Sequence, residues 1–206
     1  MTAAAAPPPA TMSPQALDDT AADLAAAFDD DPLFDWFMRD DARRAEARLR
    51  LFRAILRDVA NDDGAIERPA TGGAAAVWLR SEGFGPPSIL RKAQLALTLL
   101  HASGWARFGR LGRLRRAMDA HHPTLPAHDY LWFLGVRPDQ QGRGIGSRLL
   151  ADRAQRLDAR RRPAFLETAR ARNVELYRRH GFEVTCEYRA EPDCPTIWGL
   201  WREPRG

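Results

Sequence analysis

Residues 134–150 read LGVRPDQQGRGIGSRLL. An apolar strand ends at Val136, Pro138 stops it, and a loop brings Gly142, Gly144 and Gly146 into the start of a helix. Glycines let a backbone approach an anion closely and adopt positive φ. The N–H groups of a first helical turn then point at that anion, helped by the helix dipole. Arg143 and Arg148 add positive charge at the same end. Two familiar cradles do not fit. A P-loop needs GxxxxGK[ST], and this loop has no Lys; a dinucleotide fingerprint needs GxGxxG, and Ser147 and Arg148 follow Gly146. What remains is the pattern Gln141-x-x-Gly144-x-Gly146. A ligand-free turn is the bland alternative, but each glycine in a helical position costs about 1 kcal/mol relative to Ala.

The chain on either side alternates strands and helices. Residues 128–136 (HDYLWFLGV) form a continuous apolar strand, and residues 144–160 a helix with Ile145, Leu149, Ala154 and Leu157 on one side. Strands follow at 164–168, 181–188 and 196–201, with a short helix at 174–179. Upstream, Asp18 or Asp19 caps an Ala-rich helix, the run 29–32 breaks it, and residues 33–38 form a short buried turn of helix. Asp40 or Asp41 caps a long helix to about Val59. Strands at 65–68 and 74–80 flank a Gly72-Gly73 turn, and helices are expected at 90–102 and 106–118. The pattern implies one α/β domain over residues 16–206, with helices packed on a central sheet. Residues 1–15 are Ala/Pro-rich and uncharged, and read as a disordered arm rather than a signal peptide.

Composition bounds the function. The 206 residues are 45% hydrophobic, enough for a sizeable core, and no apolar run approaches the roughly 20 residues of a membrane helix. Cys186 and Cys194 make neither a disulfide scaffold nor a zinc site. The expectation is a reduced, cytoplasmic protein with no metal and no membrane. Charge is uneven: residues 1–89 carry 9 Arg against 15 acids, residues 90–206 carry 21 Arg and Lys92 against 12. A basic back half suits an anionic ligand. Arg107, Arg110, Arg113, Arg115 and Arg116, then Arg153, Arg156, Arg160, Arg161 and Arg162, form two basic helices. They lack interleaved aromatics or a nucleic-acid module, so they read as solvated faces and no nucleic-acid partner is expected.

A second stretch, residues 165–183, reads FLETARARNVELYRRHGFE. With Gln141-x-x-Gly144-x-Gly146 and the strand before it, this stretch resembles the GNAT superfamily of N-acetyltransferases. Residues 118–202 carry the resemblance most clearly, and His121-His122-Pro123 is similar to the puromycin N-acetyltransferase branch. The resemblance implies a central mixed, mostly antiparallel sheet with helices on both faces. It implies acetyl-CoA as co-substrate and direct attack by a primary amine, on a small molecule rather than a protein. Leu134, Gly135 and Val136 would pair with the pantetheine amides, and a backbone N–H there would stabilise the thioester oxyanion. Gln141, Gly142, Arg143, Gly144, Ile145, Gly146 and Ser147 would hold the pyrophosphate. Asn173 and Tyr177 complete the cofactor side. Tyr177 would protonate the leaving thiolate, and Glu167 is the first candidate for general base, with His121 and His122 second.

One departure stands out: many members place the Asn seven residues before the Tyr, whereas here Asn173 sits four before Tyr177 and Arg170 occupies the earlier position. Each role has a plainer alternative. Tyr177 could be core packing, Glu167 a sheet-end residue facing an Arg or a helix N-terminus, and the two histidines loop residues. His180 reads as a cation at a helix C-terminus with Gly181 as its αL cap. Cys186 reads as a buried strand residue and Cys194 as a loop thiol. Residues 17–60 and 84–128 are expected to line the acceptor side. There the acids at 29–31 either attract a cationic amine or end and cap helices. A monomer or homodimer is expected. A non-catalytic acyl-CoA-binding regulatory module and a protein N-terminal acetyltransferase remain alternative readings.

Overall fold

The structure, a computed structural model, describes residues 12–61, 65–83, 89–124 and 126–205. Helix α1 (Pro14–Ala27) starts earlier than the Asp18 or Asp19 cap read from sequence. Ser13 accepts a hydrogen bond from Ala16 N at 3.2 Å, and Pro14 supplies the preset φ of a first helical position. Pro14 and Gln15 of the expected arm therefore belong to the helix, and residues 1–11 lie outside the described residues. A turn at 28–30 ends α1. Asp31 then caps α2 (Pro32–Phe37), accepting from Leu33 N at 3.0 Å and Phe34 N at 3.2 Å. Helix α3 (Arg44–Asn61) follows. The two helices expected next form one element, α4 (Ile89–His121), broken where the sequence suggested: Gly104 takes φ 66° and ψ 171° inside it.

Six strands, β1 (Ala65–Glu67), β2 (Ala74–Arg80), β3 (Asp129–Val136), β4 (Ala164–Thr168), β5 (Glu183–Tyr188) and β6 (Ile197–Arg202), make one sheet in the order β1-β2-β3-β4-β6-β5. All neighbours are antiparallel except β3 with β4. Helices α1 to α4 pack on one face; α5 (Ile145–Ala159) and α6 (Ala171–Arg179) pack on the other. The mixed, mostly antiparallel sheet with helices on both faces is thus as expected. On the first face Phe28, Phe34, Phe52 and Phe133 form a ring cluster, Phe34 and Phe52 stacked at 5.6 Å. Such pairs add about 0.5–1.5 kcal/mol beyond the area they bury.

The basic helices are only in part the solvated faces expected: Arg115, Arg116, Arg156, Arg160 and Arg161 are exposed, but the others are not. Arg153 pairs with Glu67 at 2.8 Å and with buried Asp129, which Arg162 also holds. Arg162 reaches Glu82 as well, at 2.5 Å, and holds its carboxyl down at a pKa of about 2. Arg110 donates to Trp36 O at 2.7 Å and pairs with Asp193 at 2.8 Å. Arg113 meets Glu191 at 2.6 Å. These arginines cross-link segments far apart in sequence, which local charge patterning does not reveal. Among the described residues no helix is long and apolar enough to cross a membrane.

Gly135 fixes how closely α1 can lie on β3. A Cβ there would sit 2.8 Å from Leu24 Cδ2 and 2.9 Å from Ala27 Cβ. Gly135→Ala should cost about 1–3 kcal/mol by overpacking. Gly112→Ala, on α4 with nothing within 4 Å of the new methyl, should be neutral or stabilise by up to about 1 kcal/mol. Urea unfolding of both variants checks the contrast.

Candidate active site

Strands β3 and β4 separate. They pair from Asp129↔Ala164 to Leu131↔Leu166 and no further, although β3 continues to Val136 and β4 to Thr168. At the point of separation β3 carries a bulge: Trp78 faces Leu131, Val77 faces Phe133, and Trp132 is the extra residue. Strand β4 stays paired with β6 through Thr168↔Trp198. Beyond Leu131, then, β3 turns an unladdered edge toward a cleft of about 630 Å³. An open strand edge can pair with an extended ligand.

The glycine loop closes one end of that cleft. Gly142 and Gly144 have φ of 76° and 73°, a region L side chains enter only with strain. Gly144 is the N-cap of α5 and brings no capping side chain, so the first-turn N–H groups are left for another acceptor. Gln141 ties the loop to the strand, its Nε2 donating to Val136 O at 3.1 Å. Arg148 Nη1 donates to Arg143 O at 3.0 Å. A Cβ on Gly146 would lie 3.4 Å from Val136 Cγ2, so a small residue lets α5 start close against β3. Ser147 Oγ lies 2.8 Å from His180 Nε2 and joins α5 to the end of α6. Burial and then the Arg179 charge hold His180 below the usual histidine range, so it is neutral at pH 7 rather than the cation expected. Gly181, with φ 86°, follows it as expected.

Glu167 sits where the strands part. Alternation along β4 turns it to the α1–α4 face. Tyr130 donates to Oε2 at 3.0 Å, and Tyr188 donates to Oε1 in a very short contact. Burial raises the Glu167 carboxyl above the ordinary range, with the two hydroxyls acting in the opposite direction. Its expected alternative partners, an Arg or a helix N-terminus, are replaced by two tyrosines. Sequence reasoning passed over both, because Tyr130 and Tyr188 read there as ordinary apolar strand positions. The histidines part company. His121 stacks flat on Tyr188 at 3.9 Å, close enough for its charge to act on Glu167. His122 packs against His128 and Phe165, and burial drives its pKa to about 4.

Tyr177 is buried, yet it lines the cleft. Burial first, and then the Asp31 charge, push its hydroxyl well above the usual range, so it stays protonated through neutral pH. Asn173 lines the cleft from the first turn of α6, its N–H donating to Arg170 O at 2.9 Å. The acids at 29–31 all have internal partners: Asp29 pairs with Arg48, Asp30 with Arg170 at 2.6 Å, and Asp31 caps α2 and faces Arg170 at 3.3 Å. Asp31 does the capping expected of this run, while Asp29 and Asp30 serve in ion pairs. Arg170, in the position many relatives give to Asn, fastens the α1–α2 turn to α6. Burial raises the thiols of Cys186 and Cys194, so neither is primed as a nucleophile. Cys194 lies in the loop between β5 and β6 as expected, buried there, and Cys186 is half-buried in β5 rather than buried.

Residues 104–184 match the family model of the acetyltransferase (GNAT) domain. Over those residues the chain is similar to the GNAT acetyltransferase domain. Solved structures share the wider fold. One from Corynebacterium glutamicum, a histone acetyltransferase HPA2 and related acetyltransferase, has a TM-score of 0.69 at 20% identity, over 95% of each chain. Arylalkylamine N-acetyltransferase 2 from Aedes aegypti gives 0.59 at 14%, over 95% of this chain and 97% of that one. A Drosophila melanogaster polyamine N-acetyltransferase gives 0.55 at 16%, over 90% and 94%. The domain match, with this fold, supports an acetyl-CoA-dependent N-acetyltransferase.

The tyrosine pair predicts a measurable shift. Tyr188→Phe removes a hydrogen bond to the charged form of Glu167, so the carboxyl should titrate at still higher pH. Carboxyl-labelled NMR of both proteins reads the change directly; an unchanged or lower value would show that the short contact does not stabilise the carboxylate.

Proposed function

We propose that this protein transfers an acetyl group from acetyl-CoA to the primary amine of a small molecule, by direct attack of the neutral amine. The observation that carries this reading is the open edge of β3 beside an uncapped, glycine-lined helix start, with a glutamate and a tyrosine at the same cleft. The residues fit the coenzyme. The backbone at Leu134, Gly135 and Val136 would meet the pantetheine amides, the Val136 carbonyl having a second lone pair beside the one that Gln141 occupies. The loop from Gln141 to Ser147, with positive φ at Gly142 and Gly144, suits a pyrophosphate. Bound acetyl-CoA supplies the activated acyl group.

The chain's own residues then divide the proton work. Glu167, its pKa raised toward the working range, accepts the proton an ammonium must lose. Tyr177, held protonated by burial, donates to the departing thiolate from α6. His121, beside Tyr188, is a second place for the amine's proton. His122, neutral and packed among rings, is not. The names of the Aedes and Drosophila structures, an arylalkylamine and a polyamine acetyltransferase, favour a small amine as acceptor. The closer likeness to the puromycin-type branch rests on His121-His122-Pro123 and on Asn173 lying four residues before Tyr177.

Three variants test the reading. Gly144→Glu places a bulky anion in the cradle and should abolish acetyl-CoA binding in calorimetry. Tyr177→Phe should bind acetyl-CoA with unchanged Kd and lose about 10²–10⁴ in kcat. For wild type, kcat/KM should rise with pH through an inflection above the ordinary glutamate range, because the base acts only when ionised. Glu167→Gln should remove that inflection. If Tyr177→Phe retains full turnover, the tyrosine only packs the core.

A further inference from the structure

The cleft extends past the strand separation into a chamber of different chemistry from its mouth. Its exposed rim carries Arg172 and Arg179 with the glycine loop. Its deep walls are buried Phe34, Phe37, Leu51 and Leu114, with half-buried Leu111 and Met118. Helices α2, α3 and α4 supply these walls, and Phe133 of β3 closes them against the sheet. Two carboxylates line the whole cleft, Asp31 and Glu167. Asp31 is spent, with Oδ1 on the α2 N-terminus and Oδ2 on Arg170. Among the described residues, Glu167 is the one lining carboxylate without an arginine partner. Its two tyrosine contacts leave lone pairs over, since a carboxylate has about four acceptor sites.

We infer that this chamber takes a monoamine with an aromatic or branched apolar body, its amine end at Glu167. The inference rests on the acetyl-transfer reading above and names its acceptor class. An apolar body recovers hydrophobic free energy from the deep walls. A second ammonium would lie in apolar surroundings without a counter-ion or beside the arginines of the rim, and both are costly. A short hydroxylated amine would leave the walls unfilled. The chamber therefore selects by what it lacks, a second unpaired acid, as much as by what it offers.

The test uses the full chain with acetyl-CoA and measures thiol release. The panel is phenethylamine, tryptamine, ethanolamine, spermidine and a tetrapeptide with a free N-terminus. Phenethylamine or tryptamine should exceed ethanolamine and spermidine by about tenfold or more in kcat/KM. Met118→Ala, which loosens one wall, should raise KM for phenethylamine several-fold with kcat little changed and leave ethanolamine unaffected. General damage to the fold would lower all substrates together. Equal or better turnover of spermidine or the peptide overturns the inference and leaves acetyl transfer standing. So does acetyl-CoA binding, seen by calorimetry, with no turnover of either aromatic amine. Absence of acetyl-CoA binding removes the acetyl-transfer reading and this inference with it.

Discussion

Two adjacent parallel strands, β3 and β4, share hydrogen bonds over only three residues each and then separate. An interior strand edge with unpaired N–H and C=O groups is costly unless water or a ligand satisfies it. Here the edge is held open from several sides. The bulge at Trp132 breaks the register with β2, β6 keeps the far side of β4 engaged, and Gly135 lets α1 lie close on β3. Gly146 does the same for the start of α5 on the opposite face. The cleft is thus a consequence of sheet geometry, set by a bulge and two small residues.

That geometry also decides which side chains meet. Alternation along β4 leaves Glu167 at the separation, facing the α1–α4 side. Tyr130 comes from β3, one strand away, and Tyr188 from β5, beyond β6. Gly199 of β6 sits opposite Glu167 in register, and a Cβ there would meet Cys186 Sγ at 2.5 Å. Arg170 then ties α6, and with it Tyr177 and Asn173, to the α1–α2 turn. The two walls of the cleft are in this way one connected structure.

What could be read from the chain beforehand was what local chemistry writes locally. The strand–glycine–helix order of residues 134–150, β4 at 164–168 and the break near Gly104 are all short-range signals, and the structure repeats them. Ser13-Pro14 was equally local, but lay inside an Ala/Pro-rich run that hid it. The partners of Glu167 were not legible, because Tyr130 and Tyr188 lie 37 and 21 residues from it and meet it only through sheet order. The arginines misled for the same reason. Arg153 and Arg162 looked like a solvated stripe, but their acids, Glu67, Glu82 and Asp129, arrive from β1, β3 and the turn after β2.

Two titratable groups at one cleft, both displaced upward by burial, acquire different roles because they start from different places. Raising a glutamate moves it toward neutral pH, where it exchanges a proton readily; raising a tyrosine moves it further away, where it holds its proton until a strong base appears. In the proposed transfer a bound ammonium would be the acid that Glu167 meets, and the departing thiolate, a weaker base than a tyrosinate, would be held by a hydrogen bond from the protonated Tyr177. The tyrosine pair sets the balance. Burial disfavours the ionised Glu167, and the Tyr130 and Tyr188 hydroxyls return part of the solvation that it loses. Beside these apolar walls, hydrogen bonds from the protein thus stand in for water at the carboxylate.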